Sequence, residues 1–178
     1  MHYMFSSEDR VRNWLQNATK KILNGGYFVC THPDANVIVK KLRDESFWDE
    51  ETQCWISENK YYSLISSTKE FPKTNGAFGF PYGFYLTDNL VGFKEERPEK
   101  SVLHYVPEYL VIVPTLERIA KEYGLEMVES KNLHEFYSDN ISNKEYYDLF
   151  TKRMRFKADP NMTFLMDKEL WDVSYLYR

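Results

Sequence analysis

Residues 6–31 restrict the possible folds more than any other part of this chain. Ser6-Ser7-Glu8-Asp9 offers a capping hydroxyl and two acids for a first helical turn, and Val11, Trp14, Leu15, Ala18 and Ile22 follow at helical spacing. Asn24-Gly25-Gly26 closes that helix, because glycine readily takes the left-handed conformation that ends one. Tyr27-Phe28-Val29-Cys30-Thr31 then runs without polar alternation, the pattern of a strand buried on both faces and so of a parallel sheet. Helix feeding into buried strand is the repeating unit of an α/β protein.

The same alternation continues. Pro33-Asp34 leads into Val37, Ile38 and Leu42, a helix with Asp34 as N-cap and Lys40, Lys41 and Arg43 near its C-terminal end. Residues 61–90 change to aromatic and β-branched types broken by Pro72, Gly76, Gly79, Pro81 and Gly83, which predicts strands and turns. A helix over 115–123 carries Leu116, Ile119, Ala120 and Tyr123 on one face, ends at Gly124, and hands over to a strand-like run, Leu125-Glu126-Met127-Val128. Helical spacing returns over 144–154 through Tyr147, Phe150 and Met154, and a last helix is expected from Asp167 toward Trp171. The charged residues of 93–106, with Lys94-Glu95-Glu96-Arg97, read as a solvated surface loop. A length of 178 residues fits one domain, or part of one.

A net charge of -4 argues against holding nucleic acid through a broad basic surface, so any RNA contact should be local. Cys30 and Cys54 have no metal-ligand spacing around them and read as reduced thiols of an intracellular, non-secreted protein. No apolar run approaches the roughly 18 residues of a membrane span. The four histidines, His2, His32, His104 and His134, are scattered singly, and no glycine-rich phosphate loop, Ser/His/Asp arrangement or His-x-x-x-His pair occurs. Covalent and metal-assisted catalysis therefore have no support in the sequence.

Five short passages, in order, carry a family pattern. His2-Tyr3-Met4-Phe5, followed by the helix and Gly25-Gly26-Tyr27-Phe28, is similar to "HY-x-F … GGYF"; Thr31-His32-Pro33-Asp34 to "T-x-P-[DN]"; Val106-Pro107-Glu108-Tyr109-Leu110-Val111 to "VPEFLV"; Leu133-His134-Glu135-Phe136-Tyr137 to "F-x-EFY". Trp171 is followed six residues later by Tyr177, as in a terminal "EWE…Y" pattern. Each is weak alone, but their ordered co-occurrence resembles the eukaryotic-type mRNA cap (guanine-N7) methyltransferase family along the whole chain.

That resemblance implies the C-terminal part of a Rossmann-like, class I S-adenosylmethionine-dependent methyltransferase sheet, as one incomplete domain over 1–178 with a β-rich insertion and surface loop at 61–105. It implies S-adenosylmethionine as cofactor, the capped 5′ end of RNA as partner, and a nuclear location. By position, His2, Pro33, Glu108 and Tyr177 would bind or line the site of the cap guanine, and Tyr3 would lie against the cofactor.

The residue types suit those roles on chemical grounds. Guanine offers N1–H and its exocyclic amine on one edge, so a single carboxylate, Glu108, can accept both in a charge-assisted pair that adenine cannot match. Aromatic faces such as Tyr177 and Tyr3 hold a base at about 1–3 kcal/mol per stack, and a methylated guanine adds a cation to attract. His2 can donate a hydrogen bond or stack. By residue type alone, Glu108 is equally a solvated acid at a strand start, and the tyrosines equally core. Guanine N7 has a free lone pair at neutral pH, so proximity and orientation suffice and no acid–base residue is assigned.

The family's glycine-rich loop, ribose-binding acid and phosphate-binding basic residues precede the point matching His2, and Gly25-Gly26 follow a helix where such a loop would precede one. A truncated chain, a split enzyme and a divergent pseudo-methyltransferase are the alternatives, and the chain alone is expected to be inactive. Competing functions are a non-catalytic cap- or RNA-binding module and a fragment of a small-molecule methyltransferase. An incomplete sheet would leave residues 27–31 uncovered, so isolated folding should be marginal, with the missing N-terminal half or self-association covering the edge.

Overall fold

The computed structural model describes residues 1–71, 78–86, 107–153 and 167–178. A 3-10 turn, His2–Ser6, precedes α1 (Glu8–Thr19), α2 (Ala35–Asp44), β1 (Phe47–Asp49), β2 (Cys54–Glu58), β3 (Tyr62–Ser66), β4 (Pro81–Leu86) and β5 (Pro107–Tyr109). Then come α3 (Val113–Glu122), α4 (Leu133–Asn140), α5 (Lys144–Asp148) running into a π-helical turn (Leu149–Arg153), and α6 (Lys168–Tyr175). Residues 72–77, with Pro72 and Gly76 of the expected strand-and-turn stretch, residues 87–106, with the whole charged loop, and Met154 of the expected 144–154 helix lie outside the described residues.

Local chemistry sets the helix boundaries. Ser7 caps α1, accepting from the Arg10 amide, and Asp34 caps α2 through Oδ1 and the Asn36 amide at 3.1 Å. α3 closes on Gly124 at φ 77, with the Gly124 amide on the Lys121 carbonyl and the Leu125 amide on the Ala120 carbonyl. That pair of bonds is a Schellman closure, which requires a left-handed residue at the glycine position. α4 has a full capping box, Asn132 receiving from the helix while Glu135 reaches back to the Asn132 amide.

The sheet corrects the expected topology. Its order is β1-β2-β3-β4-β5 and every neighbouring pair is antiparallel, whereas the alternation of helix and apolar run predicted parallel βαβ units. Residues 27–31, expected as a buried strand, have no regular secondary structure and pair with no described strand, with Tyr27 80% and Val29 85% exposed. Residues 125–128 are likewise not a strand; Leu125 packs under α3 while Met127 and Val128 face solvent. A strand exists only where a neighbour takes its backbone donors and acceptors, and apolar composition cannot supply that neighbour. Cys30, on the first of these segments, is exposed. The antiparallel sheet comes instead from the β-rich region and its flanks, with β3 buried along its whole length.

Two cores meet at the site described next. One joins α2, through Val37, Ile38 and Leu42, to Tyr62, Leu64 and Tyr82 of the sheet and to Val173 and Leu176. The other joins Phe5 of the 3-10 turn, Val11 and Leu15 of α1, and Val111, Leu116 and Ile119. Leu110 belongs to the first and Val111 to the second, so the chain leaving β5 knits them together.

Candidate functional site

β4 and β5 pair with Tyr82 directly opposite Glu108. Cross-strand partners share one face of a sheet, so the two side chains meet: the Tyr82 hydroxyl donates to Glu108 Oε2 at 2.7 Å, with both residues buried. Burial pushes the Glu108 carboxyl above its ordinary value, against the pull of that hydrogen bond. Burial, then the facing Glu108 charge, pushes the Tyr82 phenol far above its own, so it is always a donor.

The other carboxylate oxygen faces the 3-10 turn. Glu108 Oε1 lies 3.5 Å from His2 Nε2, a buried nitrogen with no hydrogen-bond partner among the described residues. Burial, then the N-terminal amine and His32, holds the imidazole below its ordinary value, so His2 is neutral at pH 7 and the contact is not an ion pair. The turn is fixed by Phe5, which is fully buried and accepts from the Gly79 amide at 2.9 Å. A side chain at position 79 would press on the Ser6 carbonyl, since a Cβ there would sit 3.2 Å from it, and φ there is 73. Tyr3 packs its ring against His2 at 4.2 Å between centroids and remains 42% exposed.

Pro33 and Tyr177 close the site from the far side as an isolated antiparallel bridge. The His32 and Arg178 backbones exchange both their hydrogen bonds, at 2.9 and 2.8 Å, and the Asp34 amide donates to the Leu176 carbonyl at 2.7 Å. Pro33 thus occupies a position in the ladder that needs no amide hydrogen, the kind a proline tolerates. Asp34 anchors this closure. Its Oδ2 accepts from Arg178 Nε at 3.0 Å and from Asn132 Nδ2 at 3.1 Å, while the Leu133 amide holds the Tyr177 carbonyl. The Tyr177 ring packs edge-on against Phe84 at 6.2 Å. Burial, then the Glu108 charge and Tyr3, push the Tyr177 phenol up to about 12, which puts these groups in one electrostatic neighbourhood.

All five residues singled out in the sequence therefore gather here: His2 and Tyr3 on the turn, Pro33 before α2, Glu108 on β5 and Tyr177 after α6. Tyr82, Asp34, Asn132 and Arg178 were not recognised as site residues. Asp34 was legible only as a helix cap, and Tyr82 is one of many aromatics in its stretch. A separate cleft of about 530 Å³ between α2 and the segment after β5, rimmed by Lys40, Arg43 and Asp44, includes none of the five. Among the described residues no cluster of His, Cys, Asp and Glu is placed to hold a metal ion, and no helix is long and apolar enough to cross a membrane.

The site is thus a buried carboxylate beside an unpartnered imidazole nitrogen, with the Tyr3 and Tyr177 rings nearby, on a mixed α/β frame. Residues 1–178 match the mRNA (guanine-N(7))-methyltransferase domain family, to which this chain belongs. Members use S-adenosylmethionine and share the methyltransferase fold. The chain is 32% identical over 178 residues to mRNA cap guanine-N(7) methyltransferase 1 of Arabidopsis thaliana, covering 99% of this chain and 43% of that protein. The protein of that name from Oryza sativa is 31% identical over the same span, again covering 43% of the relative. The mRNA cap guanine-N(7) methyltransferase of Saccharomyces cerevisiae is 31% identical over 155 residues, covering 87% of this chain and 32% of the relative. The chain thus spans less than half the length of these curated relatives.

Proposed function

We propose that this chain supplies the cap-guanine pocket of an enzyme that transfers a methyl group from S-adenosylmethionine to N7 of the mRNA cap. The observation that carries the reading is the pair formed by Glu108 Oε1 and the unpartnered His2 Nε2, 3.5 Å apart and buried. Guanine presents an acceptor, O6, beside two donors, N1–H and the exocyclic amine. A protonated Nε2 of neutral His2 complements the acceptor, and the Glu108 carboxylate complements the donors. Adenine reverses this pattern and would set its amine against the His2 N–H. Pro33 and Tyr177 wall the base, the tyrosine face suiting the cation that methylation creates.

The exposed Tyr3 ring, adjoining His2, suits contact with the cofactor. S-adenosylmethionine, when bound, supplies an electrophilic methyl on sulfur. The chain's own residues orient the base and withhold water, and no proton need be removed from N7. The main cofactor loop would come from further polypeptide. The largely exposed segments 27–31 and 125–128 suit strands completed by it, in cis or by association. Action on mRNA would place the protein in the nucleus.

Titrating GTP, 7-methyl-GTP and ATP into the chain while following tryptophan and tyrosine fluorescence tests the pocket. Both guanine nucleotides should bind, with ATP weaker by about tenfold or more, as one bidentate base contact is worth about 1–3 kcal/mol. Equal binding of ATP, or a Glu108→Gln variant that keeps the preference, would refute the assignment. Conversion of GpppRNA to its 7-methyl form by the protein supplied with S-adenosylmethionine separates a transferase from a non-catalytic cap-binding module.

A further inference from the structure

Resting on the guanine-pocket reading, we infer that Tyr82 is a positioning residue for Glu108: its hydroxyl fixes the carboxylate by holding Oε2 and leaves Oε1 turned toward His2 and the base. Three independent features support this. The register of β4 on β5 sets residues 82 and 108 opposite one another, so their meeting is dictated by the backbone. The hydrogen bond is short, 2.7 Å, and its donor is almost wholly buried, which excludes water as a competitor. Glu108 Oε1 receives no such bond from His2, whose Nε2 stays unpartnered at 3.5 Å.

A free glutamate has three side-chain torsions, and a pocket that must read two donors on one base edge needs its carboxylate plane fixed beforehand. Oε2 can accept from Tyr82 and still offer its second lone pair to the ligand, since each carboxylate oxygen accepts two bonds. Tyr82 also favours the charged form that guanine requires, opposing the burial that disfavours it. The other ionisable groups around the carboxylate are the N-terminal amine of Met1, His2 and Tyr3 from the 3-10 turn, and Tyr177 from the segment after α6; the amine, like Tyr82, favours the charged form.

The test uses the full 178-residue chain and its Tyr82→Phe variant, which keeps the ring and removes the hydroxyl. Two measurements are made as a function of pH: the Glu108 side-chain carboxyl resonance by carbon-13 NMR without ligand, and GTP affinity. In the variant the Glu108 midpoint should rise, GTP should bind about tenfold more weakly at pH 7, the effect of one hydrogen bond to a charged group, and acid loss of binding should start at higher pH. An unmoved Glu108 midpoint overturns the inference, even if binding weakens uniformly, because that pattern is lost packing. A raised midpoint in a chain that shows no GTP binding as wild type overturns the guanine reading, while the hold of Tyr82 on the carboxylate stands.

Discussion

Arg178 Nε donates to Asp34 Oδ2 at 3.0 Å, and through this pair the segment after α6 is locked to the N-cap of α2. Asp34 is almost fully buried and saturated, with Oδ1 on the Asn36 amide and Oδ2 shared between Arg178 and Asn132. Asp34 thus helps hold both Pro33 and Tyr177 in place, alongside the backbone bonds of the bridge and the packing of the Tyr177 ring on Phe84.

Replacing Asp34 by alanine should therefore act on stability and binding together. Loss of the cap and of the buried partner of Arg178 should cost about 3 kcal/mol, read as a lower urea midpoint. GTP binding should fall with it, because the bridge between Pro33 and Tyr177 is released. A variant with the wild-type midpoint would show that Arg178 and Asn132 find other partners.

Glu108 should give the fold and the pocket opposite pH dependences. Burial raises its carboxyl above the ordinary 4.5, so the folded chain still holds this proton at pH values where the unfolded chain has released it. Stability at this position then falls as pH rises through that window. Glu108→Gln does not titrate and should gain on wild type from about pH 4 upward, until the raised folded value is passed and the difference levels off. Guanine binding by wild type should be lost in the other direction, toward acid, as the carboxylate is neutralised. Urea midpoints of both chains across this range check the first sign; a constant difference would show that Glu108 is not raised by folding.

Gly124 should be intolerant of a side chain for backbone reasons alone. Its φ is 77 and a Cβ there would meet nothing within 4 Å, so Gly124→Ala carries conformational strain without a clash. The expected loss is about 1 kcal/mol, seen as a lowered thermal midpoint with unchanged GTP affinity. A larger loss would mean that α3 fails to close at all.

What was legible in the sequence was mainly what depends on near neighbours. The Ser7 and Asp34 caps and the Gly124 closure involve residues a few positions apart, and each is where its local chemistry puts it. Residues 27–31 look like a strand because they are apolar, yet strand formation is decided by whatever lies alongside, and no described segment does. The gathering of His2, Pro33, Glu108 and Tyr177 followed from matched motifs, which encode long-range contacts that composition does not. Tyr82 escaped notice because it stands in the run Phe80-Pro81-Tyr82-Gly83-Phe84-Tyr85, where only the register with β5 selects which ring meets Glu108.

The proposed pocket draws on positions 2, 33, 82, 108 and 177, so no contiguous stretch of the chain contains it. A nucleotide that occupies it can recognise only the assembled fold, and mass action then makes the ligand a conformational clamp: at a hundred times its dissociation constant it adds about 2.7 kcal/mol to folding. Guanine nucleotide in the refolding buffer should serve this chain as a template for its own tertiary structure.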